Sequence, residues 1–548
     1  MTDQDIHPNK FSELRSIHKH YIDSYIALYQ LKTEKEEELN SIYKMIKTEL
    51  IDSKVCLPKS LIKDILNIIP YNNRYKRSYL FLAKLICDEY HVEEVNHLMK
   101  ISNFLFYKEY GIKLDKSKDF REINSENLDI HTENTVYRAI LYNDLEKFIF
   151  FTEREEFDKD QTLKSSLYPS EIVRYLLISS YKGYSLLELC CYHGAVDCFK
   201  LLRTKFNSEI TYKCLKLSFL GRNQEILSEC LKYQKPDYYC MECMEYAIIS
   251  HNIDFVTFLM NEYSIPIDLE GCGRYNNLES FLVYFDRTND FNECFNFSTM
   301  FNIPSLCEYF LSNGANINEK DINGLTALHF AARYNSNETA ELLISHGINI
   351  NEKDKDGKTA LHNSAENNSK ETAELLISHG ININEKNYRK ETALHAAARC
   401  NSIKTAELLI SHGININEKN KYGKTALHYA ADNYSKEIAE VLISHGININ
   451  EKDNDGKTAL HYAAEKNSKE TAELLISHGI NINEKDNFGQ TALHNSAENN
   501  SKETAELLIS HGININEKDE GEKPALHIAV LNNSKEIVEL LISHGAKI

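Results

Sequence analysis

The chain has no tryptophan, few prolines (8 in 548 residues) and no excess of basic charge. Its formal net charge of −19 at pH 7 argues against nucleic acid or an anionic membrane as a partner, because both need a basic surface. No run of 18 apolar residues occurs, so the sequence predicts no membrane insertion. The start, Met1 to Asp5, lacks the basic and apolar regions of a signal peptide. We therefore expect a cytoplasmic protein.

Cysteine is nearly missing from the second half, since twelve of the 13 cysteines precede residue 310. Without an export signal we expect reduced thiols. Cys240 and Cys243 have the spacing of half a zinc site, but no second pair completes it, so core thiols are the favoured interpretation.

A unit of 33 residues fills the chain from about Ala315 to its end. Seven copies start with Thr-Ala-Leu-His or Pro-Ala-Leu-His, at positions 326, 359, 392, 425, 458, 491 and 524. A fixed repeat of this length is typical of stacked supersecondary units, each of which buries its apolar face only against its neighbours. Such a stack presents a long surface rather than a pocket, which favours binding over catalysis.

The first copy predicts two short helices. Thr326 is a good N-cap for a helix of about nine residues, and Ser336 for the next, which His346 and Gly347 end. The polar segment from Asn316 to Gly324 predicts a hairpin. Apolar positions follow helical spacing at Ala327, Leu328, Ala331, Ala332, Ala340, Leu343 and Ile344.

These residues resemble the ankyrin repeat family, whose pattern has a turn Asp and Gly, Thr-Pro-Leu-His, an Ala pair, a Leu-rich second helix and a terminal Gly. The resemblance covers about 234 residues. It implies an all-α solenoid of helix-turn-helix units with projecting β-turn hairpins, in which His329 and its equivalents hydrogen-bond within the turn.

Some positions depart from the family pattern. Ala replaces Pro in six copies, and Asn replaces the Gly between the helices in six copies, a mild change because Asn tolerates the left-handed conformation. Tyr434 takes that place in the fourth copy, where we expect strain. Lys390 and Glu522 stand where the turn Gly is expected, so the family pattern leaves the conformation of those two hairpins open.

The predicted organisation has four regions. Residues 1–115 form an N-terminal helical region, with helices near 11–28, from Pro58 to Ile69, at 75–90 and at 92–110. We expect this region to be a cap and folding partner for the array, or else a separate dimerisation or docking bundle. Residues 116–133 are a linker of mixed charge. Residues 134–314 resemble degenerate ankyrin repeats, with second helices after Asn143, Gly194, Asn252 and Ile303, and 315–548 are the regular repeats. This arrangement is similar to expanded ankyrin families of unicellular parasites.

Several motifs suggest enzymes or metal sites. Gly357-Lys-Thr359 and its equivalents lack the earlier Gly and the buried strand of a phosphate loop, so repeat turns are favoured. Equivalent histidines on stacked copies, roughly 10 Å apart, are too distant to share a zinc ion. We predict no catalytic, cofactor or metal site.

The functional prediction comes from comparing the copies. Residues 360–386 and 492–518 are identical, and against this uniform background the variable positions cluster at the hairpin tips and the end of the first helix. In the ankyrin family these positions line the concave side, which contacts protein partners. Tyr, Phe and Arg dominate interface energetics; the alternative is unconstrained surface. The predicted partner-binding residues are Ile322, Arg333, Tyr334, Lys355, Tyr388, Arg389, Arg399, Lys421, Tyr422 and Phe488.

The last copy is more apolar than a terminal repeat is expected to be. Its side chains either pack inward or dock onto another molecule, and we hypothesise self-association through this face. The residues concerned are Ile528, Val530, Leu531, Ile537 and Val538.

The sequence thus favours a non-enzymatic adaptor that binds an unknown protein partner. The alternatives are an enzyme or regulator whose activity resides in residues 1–310, with the array for targeting, and a mechanical spacer.

Overall fold

The computed structural model describes residues 10–95, 98–116, 120, 123, 128, 130–169, 183–237 and 241–547. The chain divides into two compact units, Met1–Asp290 and Phe291–Ile548. The predicted all-α class is confirmed: the described residues contain only two short strands, β1 (Thr162–Leu163) and β2 (Tyr184–Ser185), which pair antiparallel. Across these same ranges, no helix is both long and apolar enough to span a bilayer.

The first unit begins with six helices. The helix predicted from Pro58 starts there and ends at Asn67, and the expected helix at 75–90 is found. The left-handed conformation of His91 (φ 51°) ends the helix at Tyr90. The helix predicted from Val92 starts only at Lys100. The helices are α1 (Lys10–Ile17), α2 (Lys19–Tyr29), α3 (Glu36–Ile46), followed by a π-helical segment (Lys47–Asp52), α4 (Pro58–Asn67), α5 (Lys76–Tyr90) and α6 (Lys100–Tyr110).

Five helix pairs follow in the first unit. A left-handed residue joins the two helices of each pair, with φ between 50° and 66°. The pairs at 212–233 and 269–288 had not been predicted, and most of the predicted linker lies outside the described residues. The pairs are α7 (Val136–Tyr142) and α8 (Leu145–Thr152), α9 (Leu186–His193) and α10 (Val196–Lys205), α11 (Tyr212–Gly221) and α12 (Gln224–Tyr233), α13 (Glu242–Ile249) and α14 (Ile253–Tyr263), α15 (Leu269–Arg274) and α16 (Leu278–Thr288).

The N-terminal helices contact the turns between the paired helices. The Tyr29 ring stacks on His251 with ring centroids 4.1 Å apart, and the Arg222 guanidinium donates a hydrogen bond to the Tyr29 carbonyl at 2.7 Å. Gln30 donates to the carbonyl of His251 at 2.8 Å. His251 and Arg222 are the left-handed residues of their pairs, so these contacts hold two strained turns. Within the first unit the N-terminal helices are thus packed against the irregular pairs.

The second unit contains one irregular helix pair and the seven regular repeats. The boundary at 290/291 therefore places α17 and α18 in the same compact unit as the regular repeats, ahead of the predicted boundary at 314/315. The helices are α17 (Phe291–Ser298), α18 (Pro304–Ser312), α19 (Ala327–Tyr334), α20 (Asn337–Ser345), α21 (Ala360–Glu366), α22 (Lys370–Ser378), α23 (Ala393–Arg399), α24 (Ile403–Ser411), α25 (Ala426–Asp432), α26 (Lys436–Ser444), α27 (Ala459–Glu465), α28 (Lys469–Ser477), α29 (Ala492–Glu498), α30 (Lys502–Ser510), α31 (Ala525–Leu531) and α32 (Lys535–Ser543).

A buried histidine connects each regular repeat to the next. His329 Nδ1 accepts the backbone N–H of Thr326 at 3.2 Å, as the resemblance implied, and Nε2 lies 3.1 Å from the carbonyl oxygen of Lys358 in the following repeat. Because Nδ1 accepts a hydrogen bond, the proton of the neutral ring is on Nε2, which donates to that carbonyl. The same pair of contacts recurs at His362, His395, His428, His461 and His494.

Four second helices, α20, α22, α24 and α30, are capped by an asparagine of the preceding helix pair and not by their own serine. Ser369 stands at the N-cap of α22, but its side chain makes no capping bond. Instead the Asn335 side-chain oxygen accepts the backbone N–H of Thr372 at 3.2 Å, while its amide donates to Glu371 at 2.7 Å. Asn335 is left-handed (φ 56°), so one residue both turns the chain and caps the next repeat. This gives Asn a role that Gly at this position cannot perform.

A row of ion pairs also joins successive repeats. Lys320 Nζ lies 2.6 Å from a Glu352 oxygen one repeat further along, and five more such pairs of 2.6–2.8 Å continue the row to Lys485 and Glu517. The backbone N–H of Asn349 is accepted by the Asn318 side chain at 3.1 Å, and this bond also repeats along the array. The constant Asn-Ile-Asn-Glu-Lys segment is therefore explained by bonds between repeats.

Three residues that depart from the family pattern, Lys390, Glu522 and Tyr434, still adopt the left-handed backbone conformation of their positions. Lys390 (φ 57°) and Glu522 (φ 56°) take the left-handed conformation of the turn Gly, and the Asn387–Glu391 backbone bond closes the hairpin at 2.9 Å. The two hairpins that the pattern left open therefore have the backbone of the others. Tyr434 is left-handed as well (φ 58°) and 63% exposed, a strained position for an aromatic residue.

Acid is expected to destabilise the array through its six buried histidines. Burial lowers the pKa of each imidazole, to about 4 for His428. Below about pH 6.5 the unfolded chain binds protons that the native chain does not bind, so the free energy of unfolding falls as pH falls. Urea denaturation should show a lower midpoint at about pH 5 than at about pH 7.

His428→Gln should reduce this pH dependence. The matched control is His445→Gln, at the exposed end of α26, which should leave it unchanged. Equal urea midpoints at both pH values for the unaltered chain would contradict the expectation.

Candidate protein-binding surface

Seven tight turns precede the first helices of the regular repeats. In the first, the Asp321 carboxylate accepts the backbone N–H groups of Asn323 and Leu325 at 2.8 and 2.7 Å. An Asp or Asn occupies this position in every repeat and fixes the turn, as such side chains do in Asx-turns. We call the residues that follow it the tip row: 322–324, 355–357, 388–390, 421–423, 454–456, 487–489 and 520–522.

The tip row is continuous because each tip bonds to the one before it. The N–H of Lys355 donates to the carbonyl of Asn323, and five equivalent bonds of 2.9–3.0 Å lead to Glu520 and Phe488. Neighbouring tips approach closely: a Cβ added to Gly357 would lie 2.8 Å from the Tyr388 ring, so that ring rests against the neighbouring glycine. The backbone of the row is thus fixed before any partner arrives.

Four large apolar side chains of the tip row are exposed. The exposed fraction is 86% for Ile322, 70% for Tyr388, 59% for Phe488 and 47% for Tyr422. All four were among the predicted partner-binding residues. Single exposed apolar residues are ordinary on protein surfaces, but here they are carried on one hydrogen-bonded row.

The remaining predicted residues divide by exposure. Lys355, Arg389 and Lys421 are exposed on the tip row, and Arg333 is exposed at the end of α19, where Tyr334 is half-buried. Arg399 differs from all of these. It is half-buried and makes ion pairs with Glu366 at 2.8 Å and Glu391 at 3.2 Å.

Glu391 lies at the centre of a polar network that the sequence comparison did not identify. Its side chain is buried, and it accepts hydrogen bonds from the Tyr429 hydroxyl at 2.6 Å and the Asn387 amide at 3.0 Å, besides the Arg399 contact. Burial alone would raise its pKa. The bonds from Tyr429 and Asn387 and the charge of Arg399 outweigh burial and lower the pKa to about 2, so the carboxylate is ionised.

In the third repeat the acidic and basic residues of this pair, Glu391 and Arg399, have exchanged the places that they have in two other repeats. Lys358 pairs with Glu366 at 2.8 Å, and Lys457 with Glu465 at 3.3 Å, at the positions that Glu391 and Arg399 occupy in the third repeat. The backbone N–H of Asp354 donates to the Lys358 carbonyl at 2.9 Å, so Gly357-Lys-Thr359 is part of a repeat turn. A sequence signal existed, since the residue before the Thr is acidic only in the third repeat, at Glu391.

Tyr429 and Tyr462 extend the Glu391 network along the first helices of repeats four and five. Tyr462 donates to the Asp453 carboxylate at 2.6 Å, and the Lys424 ammonium lies 4.2 Å from the centre of the Tyr462 ring. A cation over an aromatic face is a stabilising contact. Repeats three to five therefore share a connected layer of charged and aromatic side chains beneath the tips.

In the first unit, two histidines lie against the hydroxyl of Tyr168, which is buried in the core. His131 and His193 each lie 3.0 Å from the Tyr168 hydroxyl, and burial lowers the pKa of both imidazoles. Cys243 is a buried free thiol and Cys240 lies outside the described residues. Within the described ranges, no three His, Cys, Asp or Glu side chains are grouped as metal ligands. All twelve described cysteines are free thiols.

The paired helices, the stacked turns and the exposed tip row define a repeat protein of the solenoid class, built to present a surface. Family models of ankyrin repeats match residues 295–387, 351–420, 394–486 and 482–548. Residues 295–548 therefore belong to the ankyrin repeat family. Residues 206–284, among the irregular pairs, match a domain of unknown function, DUF3447.

The crystal structure of the human ASB11 ankyrin repeat domain is similar, with 22% sequence identity, and the match covers 41% of this chain and 100% of that chain at a TM-score of 0.38. A comparison with curated proteins finds no match.

Glu391→Lys should destabilise the array, because it places a cation beside Arg399 and removes the acceptor of Tyr429. Breaking a buried pair costs about 3 kcal/mol in the free energy of unfolding. Adding Arg399→Glu recreates the Lys–Glu arrangement of repeats two and five and should recover much of the loss. Urea unfolding followed by circular dichroism measures both variants. A double variant as unstable as Glu391→Lys alone would refute this account of the network.

Proposed function

We propose that the chain is a non-enzymatic adaptor that binds a protein partner along the tip row and the adjoining first helices. The observation that carries the proposal is the set of four exposed apolar side chains, Ile322, Tyr388, Tyr422 and Phe488, on one fixed backbone row. Ankyrin repeats are in general protein-interaction modules, which agrees with it.

A rigid row favours binding for an energetic reason. Association loses less conformational entropy when the contacting backbone is already ordered. Large aromatic side chains and arginine supply most of the binding energy at interfaces, and Tyr388, Arg389, Tyr422 and Phe488 provide such groups. The buried Glu391 network holds the third turn, which carries Tyr388 and Arg389. The link is Asn387, which donates to Glu391 and accepts the N–H of Arg389.

We also propose that the adaptor is located in the cytoplasm. The twelve cysteines that the structure describes are free thiols, and ten of them are buried. Such thiols persist where the surroundings are reducing.

Tyr388→Ala combined with Arg389→Ala should weaken partner capture by at least about tenfold, because it removes two adjacent anchor groups. The partner is first identified by mass spectrometry after capture on the unaltered chain, and its affinity for each variant is then measured. Lys370→Ala with Lys436→Ala, on the second helices, is the matched control and should bind normally. Helicity should be unchanged in both, and equal affinity of the tip variant would count against the proposal.

We also propose that a second copy of the chain docks on the last repeat. Ile528 and Ile537 pack inward, but Val530, Leu531 and Ile542 are 54%, 60% and 56% exposed. Leu531 stands where the other repeats carry Arg333, Glu366, Arg399, Asp432, Glu465 or Glu498, so an apolar group occupies a position that is elsewhere charged. Of the predicted set, Val538 is half-buried.

Light scattering tests this second proposal. The unaltered chain should have the mass of a dimer, and Leu531→Glu should shift it towards the monomer because a charge is placed in the apolar contact. Glu498→Leu, the reverse exchange at the equivalent position of the sixth repeat, is the control. A monomeric mass for the unaltered chain would remove the proposal.

A further inference from the structure

The turns of the third and fourth repeats differ in charge from all the others. Counting the Asp or Asn and the three tip residues after it, these two turns carry three cations, Arg389, Lys390 and Lys421, and no carboxylate. The other five turns together carry one cation, Lys355, and nine carboxylates: Asp321, Asp354, Asp356, Asp453, Asp455, Asp486, Asp519, Glu520 and Glu522. A local basic patch thus lies in a row that is otherwise acidic.

Two asparagines make this difference possible. Asn387 and Asn420 replace the turn Asp, and their side-chain oxygens still accept the turn N–H groups at 2.8–3.0 Å. Their amide groups donate inward, from Asn387 to Glu391 and from Asn420 to Tyr429, both at 3.0 Å. The turn keeps its geometry, loses its negative charge and is tied to the buried network.

The three cations are available to a ligand. Arg389, Lys390 and Lys421 are exposed and form no ion pair with any described residue, whereas the lysines from Lys320 to Lys485 that join the repeats are all paired. The Lys421 ammonium lies 4.8 Å from the centre of the Tyr422 ring. The Tyr388 ring rests on Gly357 on the other side of the patch. Two aromatic surfaces therefore flank three free positive charges.

We infer that the tips of repeats three and four bind an acidic peptide segment of the partner, with an apolar side chain between or beside its carboxylates. The inference rests on the proposed function and specifies its ligand. The cations attract the carboxylates, and the Tyr388 and Tyr422 rings contact the apolar residue.

The neighbouring turns limit the length of that acidic segment. Asp354 and Asp356 lie in the turn before the patch, and Asp453 and Asp455 in the turn after it. A longer acidic run would meet these carboxylates, which repel it, so the segment is short and bounded by neutral or basic residues.

The same charges disfavour nucleic acid. Affinity for nucleic acid comes largely from many Lys and Arg contacts to phosphates, and the patch offers three cations between acidic turns. The chain as a whole carries a net charge of −19, which repels a polyanion.

Selection from a random dodecapeptide phage library on the full-length chain tests the inference. Selected peptides should be enriched in Asp and Glu next to an apolar residue, and fluorescence anisotropy should show that added salt weakens their binding. Arg389→Glu with Lys421→Glu should weaken binding at least about tenfold, since it reverses two of the three charges.

Lys370→Glu with Lys436→Glu is the matched control. It changes the net charge equally, on exposed positions of α22 and α26, and should alter affinity by less than about twofold. Thermal unfolding of both variants should match the unaltered chain.

Several outcomes overturn the inference. Peptides without acidic enrichment that still lose binding on Ile322→Ala or Phe488→Ala would refute the acidic ligand and leave the proposed function standing. Equal loss in the control variant would show a general charge effect and also refute it. Tighter binding of an oligothymidine than of the selected peptides would indicate nucleic acid instead. If no selected peptide depends on any tip residue, both the inference and the proposed function fall.

Discussion

The regular half of the chain depends on bonds that each short helix pair makes to its neighbour. First helices of seven or eight residues are too short to persist alone in water. His329, Asn335 and Lys320 each reach into the following repeat. The equivalents of His329 and Lys320 do the same further along, as do Asn368 and Asn467. These contacts satisfy buried polar groups and fix the register of one repeat on the next, so the fold is stabilised pair by pair rather than by one central core.

Local features of this fold could be predicted from the sequence because they are encoded within one repeat. Thr326, Ala327 and Gly347 mark helix ends and the packed face in the first copy as in the others. Features encoded across repeats could not be derived in this way. Ser336 was expected to cap α20, whereas the side chain of Asn302 in the preceding helix pair accepts the N–H of Thr339. Likewise, nothing in the local pattern showed that Tyr29 would stack on His251.

The candidate surface was partly predictable for the same reason. Comparing copies singled out exposed residues such as Tyr388 and Phe488, since variation against identical neighbours is visible in one sequence. It grouped Arg399 with them, although that side chain is held between Glu366 and Glu391. Whether a variable side chain faces a partner or a neighbouring repeat depends on distances that span 33 residues or more, and these appear only in the folded array.

Residues 360–386 and 492–518 are identical in sequence and lie 132 residues apart, a distance of four whole repeats. A genetic exchange between the two coding segments would keep the reading frame and excise four repeats at once. Every helix junction of the shortened array already exists in the full one, and only the contact between the tips at 355–357 and 520–522 would be new, so the remaining helices would still find their usual neighbours. The excised cassette would carry Tyr388, Arg389 and Lys421 with it, so such a lineage would lose this recognition element in one step while retaining a foldable product.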